Sequence, residues 1–357
     1  MEETRKVVEA LMKVGPRFSD ISRATGIPVS TVRYILLKRL PKLGLSVRAS
    51  INYGALGLQR YLVEFKSDNP PQHISGILDL MGEYTYLDYY TYSMTEKKFL
   101  TIFAIPPKYE NSLLDLMQFL KSTGLIKDIE INKLTYMKIL PFMTECFDFS
   151  KGVWLQDWMH IPRNRDIPET PEYPNPNPEM DEVDLRILAE LQERVIPIKY
   201  NQLAKRLNMS RQTISKHFKH ALRFVNLFSV IWFPFMHPEL VVSPLLIKTN
   251  YKDESRKIII NIPFTYAEMR SEEDYFAFLW VPSIGLYTSI KLLTNYIKVE
   301  EWHFQDLEYS GKFSLQFQLY KDGSWMNPFE EIARKFLEII QKQKKNVGRF
   351  SNSLGFI

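Results

Sequence analysis

Two short stretches of the chain carry side chains suited to reading DNA. The first holds Thr31, Arg33, Tyr34 and Lys38, with Lys42 and Arg48 beyond them; the second holds Ser210, Arg211, Gln212, Ser215, Lys216 and Lys219. Arginine and glutamine can grip base edges in the major groove, and lysine neutralises phosphates. In each stretch the opposite side of the helical repeat is apolar: Val32, Ile35, Leu36 and Leu40 in one, Ile214, Phe218, Ala221 and Leu222 in the other. The alternative is a solvated basic face on a structural bundle.

The elements that must position these faces are helix-turn-helix units. In the second stretch Asp181 and Asp184 make a capping-box start, Val183, Ile187, Leu188 and Leu191 recur at helical spacing, and Pro197 ends the helix. Asn201 is the expected N-cap of the next helix, with Ser19 its counterpart in the first stretch. The turn residues are Gly26 and Asn208, the two types that most easily take the left-handed conformation that stops a helix. Candidate wings follow. Leu43–Ile51, with Lys42 and Arg48, is suited to phosphates, whereas Phe224–Phe233 is far more apolar and reads as a buried strand.

The chain reads as a duplication. Residues 19–33 are echoed 182 positions later, and Phe147–Trp154 is echoed by Phe317–Trp325. Charge alternates to match: residues 1–48 hold ten Lys/Arg against four Asp/Glu, and residues 181–223 hold nine against five, each followed by an acidic block. Six prolines between Pro162 and Pro178 mark a semi-stiff linker, with an ordered surface loop as the alternative. The expected organisation is a winged helix-turn-helix at 1–52, a ferredoxin-like domain at 53–160, a linker at 161–180, a second winged helix-turn-helix at 181–235, a second ferredoxin-like domain at 236–328, and a helix with a basic tail at 329–357.

After each helix-turn-helix the pattern is βαββαβ, so the fold class is α+β. In the first copy the strands are Tyr61–Phe65, Tyr84–Tyr92, Lys98–Ile105 and Ile126–Ile139. In the second, Ile258-Ile259-Ile260 suits helix or strand equally. A helix-turn-helix followed by βαββαβ, together with Asp184-Leu185-Arg186-Ile187-Leu188, Leu203-Ala204-Lys205-Arg206-Leu207 and Tyr53-Gly54-Ala55-Leu56-Gly57-Leu58, resembles the Lrp/AsnC (feast/famine) regulators. That resemblance implies double-stranded DNA as partner, self-association through the sheet domains within the chain or as a homodimer, and an amino acid as effector. A tandem chain departs from the family's usual single copy. The Lys-, Ile- and Tyr-rich composition hints at an archaeal source.

The same fold pair resembles siroheme decarboxylases, which implies His and Arg near a porphyrin pocket. Of the six histidines only His303 falls on a sheet strand, and its default role is exposed or structurally satisfied. The chain lacks a phosphate-binding Gly loop, a G-x-S-x-G elbow and a usable Cys–His pair, so the sequence reading is a regulator, not an enzyme, without cofactor or metal. A sheet-mediated adaptor is the third reading. The single cysteine, Cys146, and the absence of a signal-peptide core fit a cytoplasmic protein with no membrane association.

Overall fold

The computed structural model describes residues 2–162, 164–193, 200–233 and 242–338. Pro197, the segment 234–241 and the basic tail beyond residue 338, with Ile340, lie outside the described residues.

The N-terminal helical unit comprises α1 (Glu2–Val14), α2 (Phe18–Thr25) and α3 (Val29–Tyr34), the last continuing through a π turn (Ile35–Arg39) into the short α4 (Leu40–Lys42). Gly26 ends α2 with φ +72°, and Asn208 takes φ +54° at the matching turn of the second unit. Ser19 does not cap α2: that helix already includes Phe18, and Arg17 is its N-cap. The buried faces of α1 (Val7, Val8, Leu11), α2 (Ile21) and α3–α4 (Val32, Ile35, Leu36, Leu40) close the bundle.

The strand after this unit, β1 (Leu45–Ile51), forms no hairpin wing. It pairs antiparallel along its length with the strand expected as the second wing, β9 (Val225–Trp232), with Arg48 opposite Ser229. Leu45, Val47, Ala49 and Ile51 are buried, so each strand needs the other to satisfy its edge and cover its apolar face.

The remaining chain up to the linker gives β2 (Gln59–Lys66), α5 (Pro71–Tyr84), β3 (Leu87–Ser93), β4 (Lys98–Ile105), α6 (Glu110–Ser122), β5 (Lys127–Lys133), β6 (Tyr136–Ile139) and a hairpin, β7 (Phe147–Asp148) with β8 (Val153–Trp154). After the linker come α7 (Glu182–Glu193), α8 (Tyr200–Leu207), α9 (Arg211–Ala221) and, beyond β9, β10 (Val242–Asn250), α10 (Asp253–Ile260), β11 (Thr265–Arg270), β12 (Asp274–Pro282), α11 (Ser283–Tyr296) and β13 (Glu301–Lys312). A second hairpin pairs β14 (Tyr320–Lys321) with β15 (Ser324–Trp325). The run 258–260 is helical, and Asn201 lies inside α8. Residues 329–338 are helical; Phe329, Ile332 and Phe336 are buried, but Leu337 is exposed.

Nine strands form one sheet in the order β5-β2-β4-β3-β13-β10-β12-β11-β6. The stretch read as one strand over 126–139 is two. β5 pairs with β2, whereas β6 crosses to the far edge and pairs with β11. Likewise β13 pairs first with β10, over 301–304, and then with β3 on both sides of an irregularity between Asp306 and Ser310. The sheet wraps so that its two halves face one another. Leu62, Leu100 and Ile102 from one half pack with Leu246, Met269 and Phe276 from the other. The proline-rich segment carries no regular structure but is fastened along its length. Glu172 accepts from the Tyr53 amide at 2.9 Å and meets Arg60 at 3.3 Å, Lys138 donates to the Pro168 carbonyl, and Asn175 donates to Gly54. It lies against the sheets because its glutamates find buried arginines there.

Candidate functional site

A cavity of about 280 Å³ lies between the β1–β9 ribbon and the folded sheet. Its walls are mostly apolar and aromatic: Tyr89, Met137, Ile231, Phe278 and Trp280 are among them. Tyr89 and Phe278 meet edge to face at 5.6 Å across the two halves. The strands position these groups by parity: Gln305 and Leu307 are two apart on β13, Phe278 and Trp280 two apart on β12.

The polar groups of this cavity are unusual in kind. Arg48 Nε, Gln305 Nε2 and Trp280 Nε1 are buried and have no hydrogen-bond partner. All three are N–H donors. A buried unsatisfied donor costs about 1–3 kcal/mol, and all three belong to residues that line this space, Trp280 also bordering a smaller void beside Phe264; a ligand supplying acceptor oxygens would satisfy those that turn toward it. Lys312 also lines the space, with Asp88 3.7 Å from its Nζ. Tyr89 donates its hydroxyl to Gln305 Oε1 at 2.8 Å. Burial pushes the Tyr89 hydroxyl up to about 12, and burial does the same for Tyr266, opposed by the nearby Arg48 charge. Both phenols are therefore proton donors throughout the neutral range.

A larger cleft of about 720 Å³ lies between the β5–β6 and β11–β12 connections. Glu172, Glu272, Glu273 and Asp274 line it, with Lys133 the one cation among its lining residues, so it repels the anions that the first cavity favours.

The residues expected to face DNA separate into two groups. Arg33, Tyr34, Lys38, Lys42, Ser210, Arg211, Gln212, Lys216 and Lys219 are exposed, and Thr31 and Ser215 are partly so. Ser210 is occupied as the N-cap of α9, its Oγ accepting from the Thr213 amide at 3.0 Å. Arg48 does not face outward. Strand alternation turns it away from Val47 and Ala49; it is half-buried and lines the cavity under the ribbon. His217 and His220 are turned back from the α9 surface onto Asp184, which is 1% exposed. His303 is fully buried, with Nδ1 3.2 Å from Ser93 Oγ and Nε2 3.2 Å from Glu301, and it does not line the cavity.

Tyr89, Tyr266, Phe278, Trp280, Gln305 and Lys312 were not singled out in the sequence. Their signal was faint: a polar Gln305 and Lys312 within a strand, and an aromatic excess in β3 and β12.

The comparisons follow this division. An AsnC-type helix-turn-helix domain matches residues 180–218. No curated protein matches the chain in sequence. Over its whole length the fold resembles the siroheme decarboxylase NirDL in co-complex with an iron-uroporphyrin III analogue, at 15% identity and a TM-score of 0.53, covering 96% of this chain and 99% of that one. A second structure of the siroheme decarboxylase NirDL gives 14% identity and a TM-score of 0.51. An AsnC-family transcriptional regulatory protein from Pyrococcus furiosus is 19% identical over 39% of this chain and 91% of its own, with a TM-score of 0.31. The full-length agreement with an enzyme overturns the exclusion of catalysis, which rested on the lack of familiar nucleophile and metal motifs. A fold of this kind can do chemistry without them. No helix among the described residues is long and apolar enough to cross a membrane.

Proposed function

We propose that the chain is a decarboxylase acting on a tetrapyrrole that bears carboxylate side chains. The observation that carries this is the cavity of Arg48, Trp280 and Gln305, whose N–H groups lack acceptors, inside aromatic walls. The full-length fold agreement supports it. Arg48, Trp280 and Gln305 anchor carboxylates that do not react. A reacting carboxylate pressed against Met137, Ile231 and Phe278 is poorly solvated, which favours dispersal of its charge as CO2 leaves. The C–C bond breaks, its electron pair stays on the side-chain carbon, and the Tyr89 hydroxyl supplies the proton. At about 280 Å³ the cavity takes a carboxylated edge of the macrocycle, with the rest of the ring lying outward. Titration with siroheme tests the assignment. A one-to-one change in its visible absorption that Arg48→Ala weakens at least tenfold supports it; no spectral change opposes it.

A second activity rests on the helix-turn-helix match and on the exposed Arg211, Gln212, Lys216 and Lys219 of α9. These side chains suit double-stranded DNA, and the chain is in this reading an enzyme that keeps a DNA-binding face. Two further inferences concern origin and assembly. The repeated order of elements, the left-handed Gly26 and Asn208, and a hairpin ending each sheet region support a duplication. The β6–β11 and β13–β3 pairings support a monomer whose halves act as one another's partner.

A further inference from the structure

The start of α7 and the middle of α9 bring carboxylates and imidazoles together away from the cavity. Asp181 and Asp184 cap α7 reciprocally: the Asp181 amide donates to Asp184 Oδ2 at 3.1 Å and the Asp184 amide to Asp181 Oδ1 at 3.0 Å. His217 Nδ1 lies 3.0 Å from Asp184 Oδ1 and 3.4 Å from Asp181 Oδ2. His220 Nδ1 lies 2.8 Å from Asp184 Oδ2. One ligand atom each from Asp181, Asp184 and His217 falls within 4.8 Å of the others.

We propose that Asp181, Asp184 and His217 form a site for a divalent transition-metal ion of the zinc class, which fastens α9 to α7. Nitrogen and carboxylate ligands at about 2.0–2.2 Å in a tetrahedron stand about 3.4 Å apart. The observed 3.0 and 3.4 Å need only small adjustments to reach that spacing. Two carboxylates neutralise the ion. His220, on the other oxygen of Asp184, holds that carboxylate in orientation as outer partners do at metal centres. To ligate, His217 Nδ1 gives up its hydrogen bond to Asp184 and carries its proton on Nε2 instead. The group opens on a cleft of about 540 Å³, which leaves a fourth position for water. Lys216, Lys219 and Arg223 line that cleft against Glu179, Asp181 and Asp184. The lining is therefore charge-balanced only while empty, so Lys216, Lys219 and Arg223 oppose the ion and ligand geometry must hold it. Because His217 sits on α9 beside Lys216, the ion would set the presentation of the Arg211–Lys219 face.

The untagged full chain, stripped with chelator and then freed of it, is titrated with Co2+ and with Zn2+. The expected result is one equivalent of Co2+ with the visible absorption of a tetrahedral site, displaced by Zn2+. His217→Ala and Asp181→Asn each weaken binding at least tenfold with an unchanged far-UV spectrum, and His303→Ala binds as the parent does. Asp181 is exposed, so its variant remains folded even where His217→Ala does not. Absence of stoichiometric binding overturns the proposal. So does parental affinity in Asp181→Asn, or loss in His303→Ala, which would place the ion at Glu64, Glu301 and His303 instead.

Discussion

Tyr89 donates its hydroxyl to Gln305 Oε1 at 2.8 Å, which fixes the amide so that Gln305 Nε2 is left without a partner at the cavity. The pair joins β3 of one sheet half to β13 of the other. If Tyr89 delivers the proton after CO2 departs, Tyr89→Phe lowers kcat about 10²–10⁴-fold and, by freeing the Gln305 amide, raises KM by a smaller factor. The hydroxyl is held up to about 12 by burial, so the proton is present below that and lost only above it. The rate should therefore show no tyrosine-dependent fall between about pH 7 and 10. A pH profile of single-turnover rates checks both points.

Glu301 makes acid stability measurable. Its hydrogen bond with His303, and then that with Lys98, hold its carboxyl down to about 2 from an ordinary 4.5. A depressed carboxyl contributes stability that is present above 4.5 and is lost as pH falls through about 2. Glu301→Gln should flatten the acid limb of a melting-temperature profile across that window. An unchanged limb would show that the pair adds nothing.

Glu268 is fully buried and takes Arg256 Nε at 2.9 Å, Arg256 Nη2 at 2.7 Å and the Tyr275 hydroxyl at 2.9 Å. Removing Glu268 leaves the buried Arg256 with one longer carboxylate contact, to Glu169 at 3.5 Å. Glu268→Ala should destabilise the protein by about 3–5 kcal/mol, whereas Glu179→Ala, exposed at the linker end, should cost little. Denaturant melts of both variants decide it.

The helix starts and turns of the helical units were legible because their signals are local. Gly26 and Asn208 announce left-handed turns, and Asp181 with Asp184 announces a helix start, all within a few residues. Pairing was not legible. β1 finds β9, nearly half the chain away, and β6 leaves its own sheet for β11. Arg48 shows the consequence. Its type and position suited a phosphate, but the face on which it falls is set by a strand that no local pattern names. The cavity is illegible for the same reason, since its lining comes from eight strands, two of the ribbon and six of the sheet.

The basic face of α9 supports a separable prediction. Arg211→Ala with Lys216→Ala should weaken binding to a selected duplex by about 1–3 kcal/mol or more, and Lys219→Ala should lower the salt slope by about 1. Neither change should alter decarboxylation, because these residues are not in the cavity. Fluorescence anisotropy against salt concentration reads both; full affinity in the double variant would remove α9 from the DNA interface.

On the proposed function, the cavity under the β1–β9 ribbon removes CO2 from a carboxylated tetrapyrrole. The most direct measurement is anaerobic incubation of the full chain with siroheme, followed by mass spectrometry of the tetrapyrrole. The expected product is lighter by whole CO2 units, formed by the parent chain and largely lost in Arg48→Ala and Tyr89→Phe. Unchanged siroheme with the folded parent chain, or product formed equally by both variants, would contradict it.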